Sequence, residues 1–101
     1  MKPIAGELTA KGKVGLCGFE STNLDFLMRQ NGCDTMLLSG FLTNCCVEST
    51  MRAGYERGYK IYTIEDASAA TSVDAHDATF THNFGMFSIP TNTAKAIASL
   101  E

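Results

Sequence analysis

Several things are missing from these 101 residues, and each absence narrows the options. Basic residues form no block or stripe: eight Lys and Arg face eleven Asp and Glu, for a net charge of −3. Nucleic acid is therefore not an expected partner. No apolar run is long enough to span a bilayer, so no membrane partner is expected either. The opening MKPIAGELTAKGKVG lacks the continuous apolar segment of a secretory signal. There is no CxxC, and His76 and His82 stand at no zinc-ligand spacing from Cys17, Cys33, Cys45 or Cys46. Neither a metal nor another cofactor is expected. The stretch GLCGFESTN is glycine-rich but matches neither a dinucleotide fingerprint nor a phosphate loop. Internal repeats and low-complexity segments are absent as well.

With 45 % apolar and 19 % charged residues, the chain has the composition of a single globular domain. It has apolar residues enough to fold without staples, and two of its cysteines are neighbours. Four free thiols in a reducing cytoplasm are expected rather than a disulfide scaffold.

Short apolar runs alternate with helical patterns, the rhythm of βαβ units. STNLDFLMRQNG predicts a helix capped by Ser21 or Thr22, with an apolar stripe of Leu24, Leu27 and Met28 and a stop at Gly32. TMLLSG predicts a buried parallel strand. NCCVESTMRAGYERG predicts a helix starting from a cap at Thr43 or Asn44. Val47, Met51 and Tyr55 form its stripe and Gly58 ends it. YKIYTIEDA predicts a second strand, followed by a small-residue loop and a helix capped near Ser72. Phe80, Phe84 and Phe87 recur at helical spacing. A short strand from Phe87 to Ile89 should stop at Pro90. TNTAKAIASL closes the chain as a helix with Ala94, Ile97 and Ala98 facing inward. The expected architecture is α/β: a parallel sheet of three or four strands between helices, thin for a complete doubly wound domain.

Ligands of open α/β sheets bind beyond the carboxyl ends of the strands. Gly40 to Cys46 crosses from strand to helix there, and Cys46 falls in the first helical turn. Unpaired N–H groups and the positive end of the helix dipole favour a thiolate at such a position. Cys46 is thus as much a nucleophile candidate as a packing residue. Cys45 points about 100° away from it on a helix and is expected to pack. Cys17 and Cys33 are read as small buried hydrophobes. His76 and His82 are read as structural or surface residues, and Lys11 and Lys13 as solvated. Asp66, at the end of the second strand, is read as capping the turn that follows.

SGFLTNCCVESTMRAGYERGYKIYTIEDASAA resembles the isochorismatase-like cysteine hydrolases. In that family a strand ending in Gly leads to a T-N-x-C-V core, then a helix, a strand and a D-A motif. KVGLCGFESTNLD is similar to the family's K-x-x-x-S-x-F-x-x-T-x-L-D segment, with Cys17 in place of the Ser. The resemblance implies a three-layer α/β/α, Rossmann-like fold and a Cys–Asp–Lys catalytic set. Cys46 matches the nucleophile and Lys13 the lysine. It further implies a cis peptide at Phe41–Leu42, an oxyanion hole from the backbone N–H groups of Leu42 and Cys46, and substrate contacts from Phe19 and Asn44. The catalytic Asp of the family lies in an apolar stretch upstream of the lysine segment, and no such stretch precedes Lys13. Residues 1–101 therefore read as an amino-terminally shortened domain of the family.

The activity so implied is hydrolysis of C–N bonds in small amide or ureido substrates, through a thioester on Cys46. Two alternatives stand beside it: a catalytically inactive half-domain lacking the Asp, and a vinyl-ether-cleaving enzyme that does not need the cysteine. An unpaired sheet edge where further strands belong predicts a homo-oligomer, or association with a missing amino-terminal segment.

Overall fold

Residues 3–100 are described in the computed structural model. Residues 3–23 form an extended coil leading to helix α1, Leu24–Gln30. Strand β1, Thr35–Phe41, follows, then a π-helical turn, Thr43–Val47, that runs on into α2, Glu48–Glu56. Strand β2 is Lys60–Ala69 and helix α3 is Val73–Thr79. A second π-helical turn, Phe80–Phe84, leads through the short α4, Gly85–Phe87, to β3, Ile89–Thr91, and α5, Thr93–Leu100.

The three strands lie parallel in the order β1-β2-β3. Alternation along each strand assigns the two faces of the sheet. Met36, Leu38, Ile61 and Thr63 share one face, where α2 packs. Leu37 and Tyr62 share the other, where α5 lies with a groove of about 460 Å³ between it and the sheet. The arrangement is helix, sheet, helix. The core is on the α2 side: Val47, Met51, Phe80 and Phe84 meet Phe19, Tyr59 and Ile61.

β1 differs from the expected buried strand. Its residues alternate between exposed and half-buried, with Leu37 45 % and Phe41 77 % exposed. It pairs with β2 alone and its outer edge carries no strand among the described residues. β3 includes Pro90 instead of stopping before it. It too is an edge strand, where the missing N–H is tolerated. The inward side of α2 is Val47, Thr50, Met51 and Gly54, whereas Tyr55 is half exposed and meets Phe87 edge-on at 5.5 Å.

Helix α5 is rotated from its expected setting. Ala94, Ile97 and Ala98 are exposed, and Ala96 and Ser99 line the groove. The cause is a polar grip at its first turn. Asp66 Oδ1 accepts from both the amide and the hydroxyl of Thr93, each at 2.8 Å. α1 begins at Asn23 without a side-chain cap of its own, but Thr22 Oγ1 accepts from the Leu24 amide at 3.1 Å. Ser72 caps α3 by accepting from the Ala75 amide.

Met51 is fully buried where α2 meets the sheet. Met51→Ala should lower unfolding free energy by about 2–4 kcal/mol, the usual range for emptying such a site. Urea unfolding followed by circular dichroism measures it.

Candidate active site

β1 ends at Phe41, and the Phe41–Leu42 peptide is cis. The chain then winds directly into the π-helical turn. The Leu42 carbonyl accepts from the amide of Cys45 at 3.1 Å and from that of Val47, five residues on, at 3.2 Å. The local sequence explains the winding. Thr43 and Val47 are buried at 0 % and 3 % exposure, while Asn44 between them is exposed. Burying two residues four apart turns that side to the core and leaves Cys45 and Cys46 half-buried. Cys46 thus stands in the first turn of a helical stretch running to Glu56, at the carboxyl end of β1. The turn's amides and the stretch's positive dipole end lie beside it.

Thr43 is anchored from outside the turn. Its hydroxyl is 2.8 Å from Nδ1 of His76 in α3. His76 also packs on Phe80, with ring centroids 4.9 Å apart, and Phe80 on Phe84 at 4.5 Å. The stripe through His76, Phe80 and Phe84 was readable as helical spacing; the bond to Thr43, thirty-three residues away, was not. His76 lines a cleft of about 340 Å³ with Ser68 to Val73, whereas His82 is exposed.

The remaining candidates are placed as follows. Lys13 is exposed on the coil and its Nζ donates to the Gly15 carbonyl. No hydrogen bond or ion pair joins it to Cys46 or to a carboxylate among the described residues. The coil is held by Gly18, whose amide donates to Thr50 Oγ1 at 2.8 Å, and by Ser21, whose hydroxyl donates to the Gly12 carbonyl. Phe19 is 4 % exposed, stacked on Tyr59 at 5.6 Å with the Arg57 guanidinium 5.0 Å from its ring. Its ring packs in the core cluster. Asn44 is exposed beside Cys45. Cys17 is buried, as expected, but Cys33 is exposed in the link between α1 and β1. That link has no helix laid over it, so the packing role read for Cys33 does not hold.

Asp66 does not cap the turn after β2. It lies where β2 bulges: β1 pairs Leu38 with Thr63 and then Gly40 with Ser68, so Ile64 to Ala67 arch away from β1. From that arch it reaches Thr93. Glu65, on the same arch, places a carboxylate oxygen within 4.8 Å of ligand atoms of His76 and Asp77. These three are the group among the described residues with donors for a metal ion. Both carboxylates are exposed, and His76 already uses Nδ1 for Thr43.

Comparison with known proteins gives a single consistent picture. The profile of the Isochorismatase domain matches residues 1–95. The ureidoacrylate amidohydrolase RutB of Yersinia enterocolitica is 32 % identical over 87 residues, 86 % of this chain and 37 % of that protein. An isochorismatase-like hydrolase from Alkaliphilus metalliredigens superposes with a TM-score of 0.94 at 28 % identity, over 100 % of this chain and 54 % of the other. N-carbamoylsarcosine amidase from Thermoplasma acidophilum gives a TM-score of 0.76 at 34 % identity, over 90 % of this chain and 51 % of the other. The chain spans about a third of the length of the curated relatives it matches and about half of these solved structures.

The hydrogen bonds from Thr93 hold the Asp66 carboxyl below the usual carboxylate range. A depressed folded value stabilises the α5 attachment above about pH 4 and withdraws that support as pH falls through the folded value. Amide protection at 93–100, relative to the intrinsic exchange rate at each pH, should therefore fall below about pH 4. In Asp66→Ala it should already be low at pH 7 and lose the acid limb.

Proposed function

The chain belongs to the isochorismatase family, and on that premise we propose that it carries the nucleophile of a cysteine hydrolase cleaving C–N bonds of small amide or ureido substrates. The observation that carries this reading is the placement of Cys46, half-buried in the first helical turn beyond a parallel strand and five residues past Phe41. A thiol among helix N–H groups is where a thiolate is favoured. Two of the relatives above are named for such chemistry, one an amidohydrolase and one an amidase.

In the reaction so read, a carboxylate takes the Cys46 proton and the Lys13 ammonium stabilises the thiolate. The sulfur attacks the carbonyl carbon, and the N–H groups of Leu42 and Cys46 hold the oxyanion. The C–N bond then breaks, the nitrogen leaving with the proton held by the carboxylate. Water attacks the resulting thioester, releasing the acid and restoring the thiol. Asn44, exposed beside the turn, contacts the substrate.

The carboxylate comes, in this reading, from polypeptide docked on the open edge of β1. That edge offers unpaired backbone groups together with Leu37 and Phe41. The docking element is a second copy or an amino-terminal segment of the same fold. One observation favours the second reading, a half-domain inactive by itself: no carboxylate engages Lys13 among the described residues.

Ammonia release from ureidoacrylate or an N-carbamoyl amino acid should appear in the completed assembly and fall by at least about a thousandfold in Cys46→Ser, since that change removes the nucleophile. Turnover of a vinyl-ether substrate left intact by Cys46→Ala would point to the vinyl-ether alternative instead. Light scattering should give a mass above the 10.9 kDa of one chain, and a monodisperse monomer would count against docking at β1.

A further inference from the structure

We propose that His76 is a positioning residue for the nucleophile turn, acting through its hydrogen bond to Thr43; this rests on reading Cys46 as the nucleophile. Thr43 is the first residue of the turn and Cys46 lies three residues on. Within the turn its start is held by backbone bonds alone: the Leu42 carbonyl accepts from the Cys45 and Val47 amides and the Thr43 carbonyl from the Glu48 amide. The capping position is occupied by Leu42, whose side chain offers no hydrogen bond to the helix. The anchor comes from α3, where Nδ1 of His76 meets a Thr43 hydroxyl that is wholly out of water. A hydroxyl both donates and accepts, so either neutral tautomer and the imidazolium keep the bond.

The imidazole is itself held. Its ring rests on Phe80, and α3 is capped by Ser72 four residues before it. Two charged groups face it, Glu65 from the β2 arch and Asp77 from α3, each with an oxygen within 4.8 Å of its ligating nitrogen. Both are exposed and neither reaches Thr43 by a hydrogen bond among the described residues. Among the described residues, His76 is thus the partner of the Thr43 hydroxyl, and this bond ties the turn to α3. Displacing a nucleophile by about 1 Å can lower a rate about a hundredfold. A turn that loses this polar tie to α3 is exposed to such a displacement.

The test separates the hydrogen bond from the packing. His76→Phe keeps a ring on Phe80 and removes the bond. His76→Asn places an amide where Nδ1 lies and gives up the ring. Thr43→Val removes the hydroxyl at nearly constant volume. Each is made in a Cys33→Ser background, which removes the exposed competitor thiol, and Cys46 alkylation by iodoacetamide is followed by peptide mass spectrometry. We expect His76→Phe and Thr43→Val each to slow Cys46 by at least about fivefold in folded protein. The double variant should be no slower than either single, because both remove one shared bond. His76→Asn should return to within about twofold of the parent, and Cys45 should keep its rate throughout. A Cys46 rate unchanged in folded His76→Phe, or not restored by His76→Asn, would overturn the positioning role. If His76→Phe melts below the assay temperature, Thr43→Ser, which keeps the hydroxyl, is compared with Thr43→Ala, which lacks it. Equal rates in those two overturn the proposal as well. A parent Cys46 that reacts no faster than Cys45 would instead refute the nucleophile reading itself.

Discussion

Everything at the candidate site depends on the seating of one helical stretch, Thr43 to Glu56, against the parallel sheet. Thr43, Val47, Thr50, Met51 and Gly54 form its buried side. Met51 alone withdraws a full side chain from water, a contribution of about 1.5–3 kcal/mol. Gly54 marks the closest approach. A Cβ there would lie 2.8 Å from Ile61 Cδ1, with Met36 and Phe19 atoms at 3.3 Å, so any other residue would force the Ile61 side chain to shift for the helix to sit this deep. With that side fixed, the turn at the end of β1 has little freedom, and Cys46 is delivered to the carboxyl edge of the sheet.

Polar contacts settle the orientation of elements whose apolar surface is too sparse to do so. α5 has mostly small side chains, and Asp66 decides its rotation by holding Thr93. The coil before α1 has no regular structure; Gly18 to Thr50 and Thr22 to Leu24 tie it down. Tyr59 closes the far end of the core. Burial raises its phenol above the ordinary range, and it donates to Asp25 at 2.6 Å. Asp25 lies below its usual range, chiefly through that bond and then through Arg29. None of these partners is adjacent in sequence beyond a helical turn, except Thr22 with Leu24 and Asp25 with Arg29.

The same sparseness explains the exposed apolar residues. Leu37 and Phe41 belong to a strand with one neighbour, and Ile97 and Leu100 to a helix that covers β2 better than β1. In the relatives this region is about half of a longer chain. A parallel strand whose outer edge carries no strand among the described residues leaves uncovered the apolar side chains that parallel sheets otherwise bury.

Local pattern was enough for much of this. Alternating short apolar runs and helical stripes predict a parallel α/β sheet. The Ser72 cap, the stop at Gly58 and the stripe from His76 to Phe84 are all contacts within a turn or two, where spacing decides the geometry. The T-N-x-C-V core and the lysine segment are enough to name the family. What the sequence could not decide is every feature set by long-range partners. β1 is half exposed because no strand covers its edge among the described residues, and α5 is turned because Asp66 grips it from twenty-seven residues away. Phe19 is core because Tyr59 and Arg57 close on it, and the coil that carries Lys13 is tied to α2 through Gly18 and Thr50. That a cysteine pair follows the strand was legible in the sequence; that the Thr43 hydroxyl meets an imidazole across the fold was decided only when tertiary packing excluded water from it.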